Sequence, residues 1–410
     1  MKTLLIFSLL VFSIIGTNAS VDCDSNFPFR LDVGFFWAGI NASTGGIYWE
    51  KSCQKHISTL FDPQRETLIF FHGLQPGSVA MKHRFFFDDV ELHPAVQAHV
   101  SLGKNVGVFQ WTQFADEPIT NFIRAEAKLV TSDFVSHMEY LYEDSDGSIK
   151  VADSAYNSVV DVAFEQYLLH APFESRVHFI GHSLGTQLVV YLAHKIVQHN
   201  EEKSEVPGFV PVRLDRVTML DPVYSDADKP YNRRNTCGND NSSVLGCYMH
   251  LILKSGIAID MYRATFINRC IFSSEDDALM AYNSAAVGLK LTAYGSIKSG
   301  DCRNIDLFSH LSPKELSALG SQLKNQHRDV IAWFVSSFFT DSPPKICVKN
   351  KKGICKPTEA PSVHALMSDA DVLEWARSNK CLIQLDNAGT KNYDPSDDLF
   401  FVSDCQNFNT

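Results

Sequence analysis

The chain has no CxxC pair, no long apolar run beyond its N-terminus, no internal repeat, no low-complexity tract and no surplus of positive charge. The missing CxxC spacing argues against a zinc site. With no later apolar run, no integral membrane segment is expected and the mature protein should be soluble. Lys and Arg number 36 against 47 Asp and Glu, a formal net charge of −11. Nucleic acid needs a clustered cationic face, so that balance argues against it as a partner. A neutral or zwitterionic substrate is compatible with the charge.

The 410 residues are 45% hydrophobic and 20% charged, an ordinary globular composition. They suffice for one large domain, or one with a small appendage. The first residues read Met1-Lys2-Thr3, then an apolar run from Leu4 to Ile15, then Gly16-Thr17-Asn18-Ala19. A basic start, an apolar stretch too short to cross a bilayer and small residues before a cleavage point describe a secretory signal peptide over 1–19. The protein is therefore expected to be secreted. All ten cysteines follow that point, and an even count in a secreted chain suggests disulfides. Pairing sequence neighbours gives Cys23–Cys53, Cys237–Cys247, Cys270–Cys302, Cys347–Cys355 and Cys381–Cys405, a default because connectivity cannot be deduced from sequence. Asn41-Ala42-Ser43 and Asn241-Ser242-Ser243 are glycosylation sequons.

Strand-like apolar runs recur at Thr67–Phe71, Asn105–Phe109, Arg176–Ile180, Arg216–Leu220 and Tyr248–Leu253. Helical spacing marks Val160–His170 and Gln187–Gln198. Strands alternating with helices predict an α/β fold, a mainly parallel sheet covered on both faces. Catalytic groups in such a sheet sit at the carboxyl ends of strands. Asp341-Ser342-Pro343-Pro344 marks a boundary, dividing a domain over 20–342 from a small disulfide-stapled tail over 343–410 with one helix near Asp369–Arg377.

Gly181-His182-Ser183-Leu184-Gly185 follows directly on the run ending at Ile180 and precedes a helix. This is a G-x-S-x-G pattern in strand–turn–helix context, a nucleophile elbow rather than a structural Gly-rich turn. Gly181 and Gly185 avoid backbone collisions, and the helix N-terminus offers positive potential to a developing oxyanion. Thr67–Phe71 runs into His72-Gly73-Leu74, where the backbone N–H of Leu74, with that of Leu184, would form an oxyanion hole. The blander reading of His72-Gly73 is a turn after a strand.

Arg216–Leu220 ends in Asp221-Pro222, which places an acid at the carboxyl end of the strand after the nucleophile strand. The order Ser, acid, His leaves His250, His310, His327 and His364 as bases. His250 lies in the expected strand Tyr248–Leu253, and His364 falls in the tail. His327 precedes the apolar stretch Val330–Val335 and is favoured, with His310 as the alternative. The triad Ser183, Asp221 and His327 would perform acyl transfer with no metal or cofactor.

With those residues in place, the chain resembles the pancreatic-lipase family of triacylglycerol lipases and phospholipases A1, which have the α/β-hydrolase fold. The resemblance runs in order over roughly 56–340: His56–Gly73, Asn105–Trp111, Val177–Gly185, Met219–Pro222, and His327-Arg328 with Trp333-Phe334. It implies a lipid-ester substrate met at a lipid–water interface. It also implies a lid between two cysteines, here Cys270 and Cys302, enclosing Ala278–Tyr282 and Ala285–Tyr294 as a flap or a packed helix pair. The chain departs from the family in having Leu74 where phenylalanine is usual, and in a longer interval from Ser183 to Asp221. Cys302 also stands far from His327, which keeps His310 in play. The tail is too short for the family's C-terminal β-sandwich, so no colipase-like partner is implied. Two other functions share the motif set: a catalytically silent lipid-binding or storage protein, and an esterase for soluble substrates.

Overall fold

The structure is a computed structural model. It describes residues 27–53, 55–88, 93–118, 121–131, 138–223, 241–263, 287–290, 327, 330–331, 334–335, 337–338, 345–349, 355–358, 367–378, 380–384 and 399–404. In chain order the strands are β1 (Gly34–Ile40), β2 (Ile47–Lys51), β3 (Thr67–Phe71), β4 (Asn105–Gln110), β5 (Glu139–Glu143), β6 (Ile149–Asp153) and β7 (Val177–His182). They continue as β8 (Arg216–Leu220), β9 (Ala258–Arg263), β10 (Val287–Lys290), β11 (Lys345–Lys349), β12 (Cys355–Thr358), β13 (Lys380–Gln384) and β14 (Leu399–Asp404). Twelve of them form one sheet, ordered β12-β11-β14-β13-β10-β9-β8-β7-β3-β4-β1-β2, while β5 and β6 make a separate hairpin. From β4 through β3, β7, β8, β9 and β10 to β13 every neighbour is parallel. The result is an α/β fold built on a mixed, mostly parallel sheet.

The central strands read as near-continuous apolar runs because both of their faces are covered. Alternate residues of β3 serve different cores. Ile69 and Phe71 join Phe109, Phe179 and the helices Val159–Leu168 and Gly185–Lys203, whereas Leu68 and Phe70 join Val106, Val108, Ile180, Val330 and Phe334. The first of these helices is capped by the Ser158 hydroxyl, which accepts the N–H of Asp161 at 3.0 Å.

Tyr248–Leu253, expected as a strand, is instead the end of a helix, Asn241–Lys254. Its buried Val244, Leu245, Met249 and Ile252 recur at helical spacing, and a short apolar run alone does not separate the two readings. His250 therefore stands exposed on a helix rather than packed in a strand. The strand lies just beyond, in β9, where Asp260 breaks the apolar signal. That carboxylate is buried against Arg216 at 2.5 Å and the Thr218 hydroxyl at 2.6 Å.

Within the expected flap, Val287–Lys290 is a strand, β10, paired with β9 along Val287↔Asp260 to Lys290↔Arg263. Cys270 and Cys302 lie outside the described residues. Beyond residue 343, β11 to β14 continue the same sheet through β13, and the helix Asp369–Ser378 packs on β9. Asp369 holds Arg176 at the start of β7 through two bonds, of 2.7 and 2.6 Å. Cys53 and Cys247 are each disulfide-bonded, and Cys347, Cys355 and Cys381 lie on β11, β12 and β13. Cys23, Cys237 and Cys405 are outside the described residues. No described helix is long and apolar enough to cross a membrane.

Candidate active site

Three strand ends converge. At the end of β7 the chain turns sharply, Ser183 taking φ 57°, and the helix starts at Gly185. A side chain at Gly185 would fall on the carbonyl oxygens of Phe71 and His72, and one at Gly181 would lie 2.5 Å from the Gly185 oxygen. Glycine at both places lets the helix start press against the end of β3. The Ser183 N–H donates to Leu220 O at 3.0 Å, and its own carbonyl accepts from Thr186 N–H at 3.0 Å and the Thr186 hydroxyl at 2.6 Å. Leu184 immediately precedes the helix, so its N–H belongs to the first amides that lack an intrahelical acceptor.

At the end of β3, His72 is fully buried. Its Nε2 accepts the N–H of Trp111 at 3.1 Å, so Nδ1–H donates to Gly73 O at 3.0 Å. The Trp111 indole N–H donates to His72 O at 2.9 Å, and the rings stack with centroids 5.4 Å apart. Burial drives the His72 pKa down to about 4, which keeps the ring neutral. His72 thus braces the loop. A Cβ placed on Gly73 would lie 2.5 Å from Ser183 Cβ and 2.9 Å from its Oγ, so the Gly73 backbone faces the serine side chain directly. Leu74 comes next, half-buried against the larger core. Beyond it, Gln75 N–H donates to Ala115 O at 2.9 Å, and the Asp116 carboxylate accepts the N–H groups of Gly77 and Val79 at 2.5 and 2.8 Å. Burial raises the Asp116 pKa.

At the end of β8, Asp221 takes φ 47° and donates its N–H to Tyr262 O at 2.7 Å. Its buried carboxylate Oδ2 meets His327 Nδ1 at 2.5 Å. His327 lies in a helical stretch whose Val330, Ile331, Phe334 and Val335 are buried in the second core. With Nδ1 bound to a carboxylate, Nε2 is the ring atom able to accept a proton. The carbonyl of His327 accepts from His182 Nε2–H at 2.9 Å, and the two rings lie 4.4 Å apart.

The structure thus brings Asp221 and His327 into direct contact, with Ser183 one residue from the His182 that touches His327. His310 and His364 lie outside the described residues. Three features escaped the sequence reading: the His182–His327 tie, the Trp111 lock on His72 and the Asp116 clamp on the loop. The first joins positions 145 apart, and no local pattern signals such a contact.

No family model matches the chain, and no curated protein matches it. Among solved structures, the poly(3-hydroxybutyrate) depolymerase LpqC from Bordetella parapertussis is similar at 12% identity over 55% of this chain and 80% of that one, with a TM-score of 0.23.

Proposed function

We propose that this protein is a secreted serine ester hydrolase of the α/β-hydrolase type, cleaving lipid esters with Ser183, Asp221 and His327. The observation that carries the reading is the 2.5 Å pairing of His327 Nδ1 with the buried Asp221, beside a serine held at positive φ on the neighbouring strand end. His327 Nε2 takes the hydroxyl proton as Ser183 Oγ attacks the ester carbonyl, and Asp221 stabilises the imidazolium. The N–H groups of Leu74 and Leu184 receive the oxyanion, one such donor being worth about 3 kcal/mol of barrier. His327 then protonates the leaving alcohol, and a water activated by the same ring releases the acyl group.

The lipid substrate, triacylglycerol or phospholipid, rests on the ordered motif set that resembles the pancreatic-lipase family. Asn41 stands exposed on the β1–β2 turn, where a secreted chain would accept a glycan. Purified protein assayed on triglyceride, phosphatidylcholine and short soluble esters tests the reading. Ser183→Ala should abolish hydrolysis of every ester while melting as wild type does. Hydrolysis that persists in this variant removes Ser183 from the mechanism, and activity on soluble esters alone removes the lipid.

A further inference from the structure

We infer that His182 is the positioning residue that sets His327 against Ser183, an inference resting on the triad reading above. A base held at one ring atom retains freedom to swing about that bond. His327 is held at two points: Nδ1 by Asp221 at the end of β8, and its main-chain oxygen by His182 Nε2–H at the end of β7. The second bond ties the backbone carrying the base to the residue immediately before the nucleophile. The distance between the two reacting groups is thereby set through one short covalent path and one 2.9 Å hydrogen bond. Donation from Nε2 also places a proton on that nitrogen of His182.

The ring of His182 is itself held. It contacts the His327 ring at 4.4 Å. Phe85 lies parallel to it, at 8° and 6.0 Å, and Phe85 also packs at 6.3 Å from His72 at the end of β3. Phe85 is followed by Phe86 at φ 68°, a costly conformation for a bulky side chain, and Phe86 packs on Phe70 of β3. A strained turn that presents one aromatic ring to both His72 and His182 fits a supporting role for that ring beside the site.

Three substitutions separate the hydrogen bond from mere bulk. His182→Phe keeps a ring and removes the donor. His182→Gln returns an N–H near the position of Nε2, and His182→Asn carries its amide too short to reach. For a soluble ester, His182→Phe and His182→Asn should lose about ten- to a hundredfold in kcat, the scale of a sub-ångström to 1 Å misplacement, with KM and Tm unchanged. His182→Gln should recover most of that loss. The rate of Ser183 labelling by a fluorophosphonate should follow the same ranking.

Wild-type kcat and labelling in His182→Phe would overturn the positioning role, as would Asn and Gln variants of equal activity. The Asn and Gln pair decides the matter should the Phe variant not fold. Ser183→Ala is run beside them: if it retains activity the triad reading itself fails, whereas an inactive Ser183→Ala beside a fully active His182→Phe removes only His182.

Discussion

Gly73→Ala is expected to disable ester hydrolysis while leaving the protein folded. The added Cβ would stand 2.5 Å from Ser183 Cβ, 2.9 Å from Oγ and 3.0 Å from His182 O. Carbon atoms rest at about 3.5–4.0 Å, so roughly 1 Å must be found between the end of β3 and the serine turn. Neither side yields readily. His72 is locked by two bonds from Trp111, and Ser183 N–H is fixed to Leu220 O. Displacement by about 1 Å costs on the order of a hundredfold in rate, or about 2.7 kcal/mol of barrier. Overpacking by one methyl costs about 1–3 kcal/mol of stability, which a domain of this size tolerates. The assays are kcat/KM on a soluble ester, the rate of Ser183 labelling by a fluorophosphonate, and thermal melting. Gly185→Ala is the contrast, because its Cβ would strike the carbonyls of Phe71 and His72 and should cost the fold itself. Unchanged hydrolysis and labelling in a folded Gly73→Ala protein would refute the reasoning, since the acyl carbon would then not occupy the space between Gly73 and Ser183.

Asp221→Asn should lower kcat on the order of 10⁴-fold with little change in KM, because an amide N–H can donate to Nδ1 and select the wrong tautomer, and the uncharged amide does not stabilise imidazolium. A fall below about tenfold would make the 2.5 Å contact structural only. Ser183→Gly should melt at or above Ser183→Ala, since glycine relieves the cost of φ 57°, about 1–2 kcal/mol, against about 0.4–1 kcal/mol of added unfolded-chain entropy; a more stable alanine variant would contradict the strain. Stability should also fall as pH drops from 6.5 towards 4. Burial lowers the pKa values of His72, His99, His170 and His194 from 6.5 to about 4, so in that window the unfolded chain binds more protons than the folded one. Each ring is worth up to about 3 kcal/mol, and a denaturant midpoint that stays flat between pH 7.5 and pH 5 would count against neutral buried rings.

How much of this was legible in the sequence depends on how local each signal is. β3, β4, β7 and β8 read correctly because burial on two faces makes each an apolar run of strand length. β9 did not, because its buried Asp260 needs Arg216 from the neighbouring strand to make burial tolerable, and that partner is 44 residues away. The misplaced strand at Tyr248–Leu253 followed from the same loss, since an apolar helix end stood in for the strand behind it. Around the site, the sharp turn from strand to helix at Gly181 to Gly185 was legible because the steric demand on both glycines is local. The contact of Asp221 with His327 spans 106 positions, and chain order alone narrowed its partner to four histidines. The neutrality of His72 follows from its complete burial at the end of β3, which only the fold decides.

Ser183 and Asp221 are one device used twice. Ser183 and Asp221 each follow the last residue of a parallel strand, and each turns left-handed at once. Each donates its N–H to a carbonyl on the next strand over, Ser183 to Leu220 and Asp221 to Tyr262. The ladder therefore runs one residue beyond each strand, and that bond offsets part of the strain of about 1–2 kcal/mol per residue. In plain strand geometry the side chain at either position would enter one of the two cores. The left-handed turn carries it off the faces and over the edge of the sheet instead. Neighbouring strands stand about 4.8 Å apart, so the two turns lie side by side. Hydroxyl and carboxylate are thus placed by the ends of neighbouring sheet strands. The imidazole comes from a helical stretch outside that ladder, and this is why it needs a tether to each of the two strand ends.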